Sequence, residues 1–253
     1  MLKNDRYNYI MTYLTKYKSV KVVSLSGLLN VTQETIRRDL EYLEQLGEIE
    51  RVHGGAVLKN NNIQETNFTV RESINIAEKK MIAKHATQFV KEGSFVSLDV
   101  STTNTEIAKE LVHSFNSLSV ITNSIIIATI LSENPNFSIY FPSGKIRNSE
   151  LCIVGDSCVT YIKKFNIDIF FMSVSGLSLE KGLTDYGYGE YEVKMAMLRN
   201  ANKVFVVADH TKFDSIAMLN IGNLQSVDGI ITDSNISQQL LDKYEKHDIN
   251  IFS

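Results

Sequence analysis

Apolar residues near the start of the chain recur at spacings of three and four, the pattern of amphipathic helices. One set predicts a helix within residues 4–17: Tyr7, Ile10, Met11 and Leu14. A second set predicts a helix that follows Thr32 as N-cap and ends at Gly47: Ile36, Leu40, Leu43 and Leu46. Between them, residues 24–29 predict a short helix and Asn30-Val31 a tight turn. The pattern therefore favours a helix-turn-helix.

Short strands are predicted around this pair of helices. The β-branched residues Val20, Val22 and Val23 favour one strand, and residues 48–51 and 56–58 favour two more on either side of His53-Gly54-Gly55. Two adjacent glycines between such segments indicate a hairpin, which would form the wing of a winged helix domain over residues 1–58. Residues 59–70 are mainly polar and lack periodicity, so they predict a linker.

From residue 71 onward, helical patterns alternate with short apolar runs. The predicted helices are 74–91, 105–115, 125–131, 159–164, 191–200 and 238–244, and the predicted strands are 95–98, 118–122, 137–141, 167–174, 204–208 and 230–232. This alternation predicts an α/β domain over residues 71–253, with a mostly parallel sheet covered on both faces. Ligands of such sheets collect at the carboxyl ends of the strands.

Composition adds few constraints. Of the 253 residues 43% are hydrophobic and 22% are charged, as in ordinary globular proteins. Cys152 and Cys158 lack partners at metal spacing, so we expect no metal site and no cofactor. The chain shows no signal-peptide run and no membrane span, so we expect a cytoplasmic protein.

A net charge of −3 by itself disfavours binding to nucleic acid, but the charges are unevenly distributed. Residues 1–60 contain nine Lys and Arg against seven Asp and Glu, whereas residues 61–253 contain seventeen against twenty-two. The basic excess therefore lies with the helix-turn-helix. Because it is small, binding to DNA would need a homodimer or homotetramer that presents two such domains to paired half-sites.

Polar residues beside the apolar stripe of the second helix suit a DNA major groove. Gln33 can pair with an adenine edge, and Arg37 and Arg38 with guanine or phosphate. The alternative is an ordinary solvated helix face. The full set of candidate DNA-binding residues is Thr32, Gln33, Thr35, Arg37, Arg38, Arg51 and His53.

These residues carry a resemblance to a known family. Thr35-Ile36-Arg37-Arg38-Asp39-Leu40, a Leu-Glu-x-Leu-Gly end, and Arg51-x-His53-Gly54-Gly55-Ala56 resemble the DNA-binding signature of the DeoR family of bacterial transcriptional regulators. The combination spans some fifty residues and is much more specific than a helix-turn-helix pattern alone. The resemblance implies a regulator that binds double-stranded operator DNA.

Residues that follow the predicted strands extend the resemblance over nearly the whole chain. They occur in the order Asp-x-x-Thr-Thr, Thr-Asn-Ser, a glycine-containing basic loop and Ala-Asp-His-x-Lys-Phe, which resembles the DeoR sensor domain. That domain is similar in fold to ribose-5-phosphate isomerase and glucosamine-6-phosphate deaminase, and it binds phosphorylated sugars. The candidate effector-binding residues are Asp99, Ser101, Thr102, Thr103, Asn123, Ser124, Gly144, Lys145, Lys194, Asp209 and Lys212.

The resemblance also implies roles for these residues. Thr102 and Thr103 would hold the phosphate with Lys194 or Lys212 nearby, while Asp99, Asn123 and Asp209 would meet sugar hydroxyls. Two positions depart from the family, since Ser101 replaces a usual glycine and Ser143-Gly144 replaces a usual glycine pair. A Cβ in a loop that needs positive φ or a close backbone approach would narrow what binds there.

Three functions remain open at this stage. The first is a repressor of a sugar-metabolism operon whose DNA binding is modulated by a phosphorylated sugar. The second is a sugar-phosphate isomerase or deaminase with an accessory DNA-binding head, in which Glu192, Lys194 and Asp209 would supply acid and base. The third is an architectural DNA-binding protein whose larger domain only oligomerises. Neither the identity of the sugar nor the operator can be derived from the sequence.

Overall fold

The computed structural model describes residues 3–17, 19–45, 49–58 and 68–253. Contacts divide the chain into two compact units, Met1–Ile76 and Ala77–Ser253. Most of the predicted linker, residues 59–67, lies outside the described residues, and the last three positions, 68–70, begin a helix. No helix in the part of the chain that the structure describes combines the length and apolarity needed to cross a bilayer.

Helices and strands are numbered here in chain order. The helices are α1 Lys3–Tyr17, α2 Val22–Leu29, α3 Gln33–Gln45, α4 Phe68–Ser73, α5 Ile76–Thr87, α6 Thr102–Ser114, α7 Ile125–Leu131, α8 Asp156–Ile162, α9 Tyr191–Asn200 and α10 Gln238–Glu245. The strands are β1 Ser19–Lys21, β2 Ile49–Val52, β3 Gly55–Leu58, β4 Phe95–Leu98, β5 Ser119–Thr122, β6 Ser138–Tyr140, β7 Lys145–Arg147, β8 Cys152–Val154, β9 Ile167–Ser173, β10 Gly176–Ser178, β11 Gly182–Asp185, β12 Ala201–Val207, β13 Leu219–Gly222, β14 Gly229–Ile231 and β15 Ile251–Phe252.

The smaller unit is the predicted winged helix-turn-helix domain. Its strands form an antiparallel sheet in the order β1-β3-β2, and α1, α2 and α3 pack their apolar faces together. All the described residues of the two predicted helical stripes are buried in this core: Tyr7, Ile10, Met11, Leu14, Ile36, Leu40 and Leu43. The predicted helix end at Leu46 and Gly47 lies outside the described residues.

One predicted strand is wrong in its second half. β1 ends at Lys21, which pairs with Gly55 at the start of β3. Because β3 offers no further pairing position, the chain turns at Val22 into α2, and the Val22 N–H donates to the Gly54 carbonyl at 2.9 Å. Val23 is exposed on that helix. Tertiary pairing thus overrides the β-branched preference of these valines.

A buried ion pair joins α1 to α3. Arg6 contacts Asp39 with two nitrogens, Nε to Oδ2 at 2.7 Å and Nη2 to Oδ1 at 3.0 Å. The Asp39 side chain is 3% exposed, so its charge is compensated by Arg6 rather than by water. This pair orients α3 against α1, and the sequence pattern did not reveal it because the partners are 33 residues apart.

The larger unit is built on a parallel sheet with the order β15-β14-β12-β9-β4-β5-β6. Every neighbouring pair in it is parallel. The chain passes from β4 to β5 and β6 on one side, and then from β9 to β12, β14 and β15 on the other. The order reverses between β4 and β9, which is where doubly wound sheets bind ligands.

Both faces of the sheet are buried, as the continuous apolar runs predict. Phe170 and Met172 of β9 point into one apolar cluster, while Ile169 and Phe171 of the same strand point into the other. The alternation follows from the two-residue period of a strand.

Two small antiparallel elements were not predicted. β7 pairs with β8 in a hairpin, so residues 145–147, interpreted above as part of a loop, are a strand. β10, β11 and β13 form a separate three-stranded sheet. Strands of three or four residues lack enough alternation for a pattern to distinguish them from loops. In addition, β11 pairs with β13, which lies in a later part of the chain.

Candidate functional site

The N-terminus of α3 is capped as predicted. The Thr32 hydroxyl accepts from the Thr35 N–H at 3.2 Å and lies 2.9 Å from the Thr35 hydroxyl. Before it, Asn30 adopts φ 50°, a left-handed conformation that asparagine tolerates, and the Ser26 hydroxyl donates to the Val31 carbonyl at 2.6 Å. These contacts hold the tight turn that sets α3 against α2.

The candidate DNA-binding residues of α3 face away from the core. Gln33 is exposed, and the side chains of Arg37 and Arg38 are 59% and 77% exposed. Glu34 lies 3.8 Å from Arg37 and 3.5 Å from Arg38. Exposed ion pairs of this kind contribute only about 0–1 kcal/mol. Both arginines can therefore exchange Glu34 for a phosphate or a base edge at low cost.

Two candidates lie in the wing. His53 is exposed in the turn between β2 and β3, and Gly54 beside it has φ +79°. Arg51 lies on β2, where it contacts Glu44 at 3.8 Å and Glu41 at 4.0 Å. Its charge is thus compensated by two carboxylates of α3, and it supports the wing as well as facing solvent.

In the larger unit, the carboxyl ends of neighbouring strands bring polar side chains to one edge of the sheet. Asp99 follows β4, Asn123 follows β5 and Asp209 follows β12, and all three are buried. β9 lies between β4 and β12, so Asp99 and Asp209 are separated by two strand spacings, about 10 Å. Three of the candidate effector-binding residues thus lie at the same edge of the sheet.

Asp99 and Lys194 form the centre of a buried ionic cluster. Lys194 Nζ lies 2.5 Å from Asp99 Oδ2 and 2.8 Å from Asp185 Oδ2, and it also donates to the Ser173 carbonyl. Asp99 accepts in addition from the Ser173 N–H and from Asn104 Nδ2. The cluster ties the ends of β4, β9 and β11 to α9, so Lys194 is saturated by protein groups.

Electrostatics in this cluster keep Lys194 charged. Burial alone would lower the pKa of Lys194, but Asp185 and Asp99 outweigh it and raise the pKa above its ordinary value. Burial alone would raise the pKa of Asp185, but Lys194 and the hydrogen bonds from Ser175 and Tyr186 outweigh it and lower the pKa. At Asp99 burial prevails and raises the pKa. Two carboxylates thus share one ammonium.

Positive φ, one of the two ways in which Ser101 could narrow binding, does not occur. The φ of Ser101 is −165°, extended backbone that any residue adopts. Its hydroxyl accepts from the Asn104 N–H at 2.9 Å and caps α6. Thr102 and Thr103, the predicted phosphate ligands, are buried in the first turn of that helix. Ser143 likewise lacks a positive φ.

The β7–β8 hairpin borders the same edge. Asn123 Nδ2 donates to the Ile153 carbonyl at 3.1 Å, and Asn123 Oδ1 accepts from the Val100 N–H at 3.2 Å. Ser124 caps α7 by accepting from the Ile127 N–H at 3.3 Å. Gly144 is required, because a Cβ there would lie 2.6 Å from the Val154 carbonyl oxygen. Lys145 is exposed on the hairpin.

Asp209 and Lys212 form a second polar group beyond β12. The Thr211 N–H donates to Asp209 Oδ1 at 3.0 Å. Burial would raise the pKa of Asp209, but Lys212, Thr211 and Lys79 outweigh it and lower the pKa. His210 adjoins this group, with Nδ1 2.9 Å from Oδ1 of the buried Asp233.

Several polar residues of this edge were not among the candidate effector-binding residues. Asp185, Arg147 and Glu190 make ionic contacts here, and Asp233 Oδ1 lies 2.9 Å from His210 Nδ1. Asp185 is the last residue of β11, and Asp233 lies shortly after β14. Their position at the end of a strand was therefore the sequence signal that could have identified them as site residues. Arg147 and Glu190 are 43 residues apart, and only the folded chain places them together.

Comparison with known proteins matches both units. A family model described as the DeoR-like helix-turn-helix domain matches residues 6–62, and one described as the DeoR C terminal sensor domain matches residues 74–234. The regulator GolR of Listeria innocua is 37% identical, with 97% of this chain and 96% of its own length covered. The repressor CsqR of Escherichia coli is 32% identical, with 91% of this chain and 87% of its own length covered. The glycerol-3-phosphate regulon repressor of Escherichia coli is 29% identical, with 99% of each chain covered.

Solved structures show a distant similarity. Ribose 5-phosphate isomerase A of Methanocaldococcus jannaschii is 17% identical, with a TM-score of 0.39 and 53% of each chain covered. The translation initiation factor eIF-2B of Pyrococcus horikoshii is also 17% identical, with a TM-score of 0.43 over 89% of this chain and 82% of its own. Similarity at this level carries no functional argument.

Proposed function

We propose, from the premise that this chain belongs to the DeoR family of transcriptional regulators, that α3 binds operator DNA and that a phosphorylated sugar bound in the larger unit modulates this binding. The protein would act as a repressor, in keeping with the names of CsqR and the glycerol-3-phosphate regulon repressor. Because the chromosome is its target, its place is the cytoplasm.

One observation carries the DNA half of the proposal. The capped first turns of α3 present Arg37 and Arg38, whose ionic contacts within the described residues are weak exposed pairs with Glu34. The helix N-terminus also carries partial positive charge, which favours phosphate. Since the basic excess of the unit is small, we infer that a dimer or tetramer supplies two such surfaces to paired half-sites.

Removing either arginine should weaken operator binding. We expect Arg37→Ala and Arg38→Ala each to lower affinity, and at least one to reduce the salt-dependence slope by about one unit because a phosphate contact is lost. Gln33→Ala should instead relax sequence preference, since a base contact is lost. Binding to a genomically selected operator fragment, measured by fluorescence anisotropy at several salt concentrations, gives both quantities.

The matched control is Arg199→Ala, which removes the same charge from an exposed position of the larger unit. It should bind the operator like the natural chain. If all three α3 variants and the control bind alike at moderate salt, the assignment of α3 as the DNA-reading element is refuted.

For the effector half, the support is the position of polar groups at the reversal point of the sheet. Asp99, Ser173 and the first turn of α6 meet where the strand order changes between β4 and β9. Hydroxyls and helix N–H groups there suit a phosphate, and buried carboxylates and amides suit sugar hydroxyls. Ligand binding would change operator affinity only if the ligand prefers one arrangement of the DNA-binding units.

The effector half is tested with a panel of phosphorylated sugars and glycerol 3-phosphate. A ligand that binds the folded protein should stabilise it by about 2.7 kcal/mol at a hundredfold excess over Kd, which thermal unfolding detects. The same compound should change operator affinity. If no compound shifts the unfolding midpoint, the larger unit serves oligomerisation and the sensor proposal fails.

The cluster at Lys194 argues against the enzyme alternative. A general base must be deprotonated near neutral pH so that it can accept a proton from the substrate. Lys194 stays protonated there, because two carboxylates raise its pKa. We therefore infer that Lys194 holds the sheet edge together rather than transferring protons. Turnover of ribose or hexosamine phosphates that is lost in Lys194→Ala would reverse this inference.

A further inference from the structure

An ion pair at the border of the candidate effector site has no role in the function described so far. Arg147, the last residue of β7, contacts Glu190, the residue that precedes α9. The Arg147 side chain is 30% exposed and that of Glu190 is 9% exposed. The pair therefore connects the β7–β8 hairpin to the N-terminus of α9, with the cation nearer to solvent.

Both sides of this pair lead directly to the sheet edge. Arg147 pairs across the hairpin with Cys152, which bridges to Ser124 after β5. On the other side, the Glu190 carbonyl accepts from the Lys194 N–H at 2.9 Å, one helical turn from the Asp99 cluster. The ion pair thus lies between the loop after β5 and the helix that carries Lys194.

The cations of this region differ in their availability to an anion. Lys194 is held by Asp99, Asp185 and Ser173, and Lys212 compensates the buried Asp209. Arg147 is partly exposed, and a planar guanidinium can bind two phosphate oxygens at once. Arg147 is therefore better suited to a phosphate than Lys194 is.

We propose that Arg147 recognises the phosphate group of the effector, which takes the place of the Glu190 carboxylate on the guanidinium. The inference rests on the proposed function, since it assigns the residue that reads the anion in that site. It differs from the sequence expectation, which places Lys194 or Lys212 near the phosphate.

Release of Glu190 has a structural consequence. The loop before α9 is folded tightly around this carboxylate, because a Cβ on Gly187 would lie 2.7 Å from Glu190 Oε2. Gly189 lies beside the Arg147 side chain, where a Cβ would be 3.8 Å from Cδ. Exchange of Glu190 for phosphate therefore loosens the loop from the hairpin and alters the start of α9. This is a differential contact of the kind that coupling between two sites requires.

The test compares affinities for inorganic phosphate and for any phosphorylated sugar of the panel that stabilises the natural chain. Glu190→Gln removes the competing carboxylate and should tighten binding by roughly tenfold, the equivalent of one charged hydrogen bond. Arg147→Gln should weaken binding by roughly tenfold or more for the same reason. Isothermal titration of the full chain measures both.

Arg147→Gln leaves the nearly buried Glu190 without this partner and can impair folding, so the double variant Arg147→Gln with Glu190→Gln removes both charges. It should fold and bind phosphate as weakly as Arg147→Gln. Lys243→Gln is the control, because it removes the cation of an exposed ion pair in the same unit, 2.6 Å from Asp214, and should bind like the natural chain.

The outcomes separate the two proposals. If the natural chain binds a phosphorylated sugar and the double variant keeps that affinity, Arg147 is not the anion ligand and the effector proposal stands. If Glu190→Gln binds phosphate no more tightly than the natural chain, the proposal that phosphate takes the place of the Glu190 carboxylate is also overturned. If neither the natural chain nor Glu190→Gln binds any phosphorylated compound, the effector proposal itself fails and the inference fails with it.

Discussion

Replacing Lys194 by methionine is expected to destabilise the larger unit by roughly 3–5 kcal/mol at pH 7. Methionine keeps most of the side-chain volume but removes the ammonium that Asp99 and Asp185 share at 2.5 and 2.8 Å. The two carboxylates then lie buried without a cation, and Ser173 loses a donor to its carbonyl. Thermal unfolding should show a midpoint about 10 °C lower or more, at the size of this unit.

The stability that Lys194→Met loses relative to the natural chain should increase with pH. In the natural chain, the lowered pKa of Asp185 contributes stability above about pH 4, which is lost as pH falls through the folded-state pKa. Without Lys194, burial and mutual repulsion raise the pKa of both carboxylates, so the penalty grows as pH rises. The difference between Lys194→Met and the natural chain should therefore be largest at pH 7 and shrink towards pH 4.

Lys243→Met provides the comparison for this experiment. Lys243 also forms a close ion pair, at 2.6 Å from Asp214, but both side chains are over 40% exposed, at 45% and 43%. Water replaces the lost partner there, so the cost should stay within about 1 kcal/mol. Equal stability of Lys194→Met and the natural chain at pH 7 would show that the cluster does not hold the sheet edge.

Gly55→Ala is expected to destabilise the smaller unit by about 3 kcal/mol and to abolish operator binding. A Cβ at this position would lie 2.0 Å from the Val20 carbonyl oxygen and 3.1 Å from the Lys21 Cα. Both atoms belong to the backbone of β1, so no side-chain rotation can relieve the clash, and β1 must separate from β3. A unit this small has little stability to spare.

Gly54→Ala is the matched control one residue away. A Cβ there meets no atom within 4 Å, and the cost comes only from the φ of +79°. That cost is about 1–2 kcal/mol for an L-residue, so the variant should still fold and bind operator at low temperature. Circular dichroism and operator binding distinguish the two. If Gly55→Ala binds as well as Gly54→Ala, the close approach of β1 to β3 does not limit the domain.

Local patterns were enough to predict the DNA-binding unit. The helical spacing of Ile36, Leu40 and Leu43 and the cap at Thr32 depend on residues within a few positions of one another. Their amphipathic stripe determines which side of α3 is buried, and hence that Arg37 and Arg38 face outward. The same holds for six of the seven strands of the parallel sheet, because apolar runs alternating with helices allow few other arrangements. The edge strand β15, two residues long, was not predicted.

Only the tertiary structure decided how the charged groups at the sheet edge pair. From the sequence, Lys194 was a candidate phosphate ligand and Asp185 had no role, yet the fold places both with Asp99 in one buried cluster. These partners come from three separate segments, and their pairing depends on strand order, which residue spacing does not encode. The sequence by itself determined the family, the two-unit architecture and the outward face of α3, since those depend on local periodicity. Which cations remain available to a ligand was decided by burial and by contacts between distant residues.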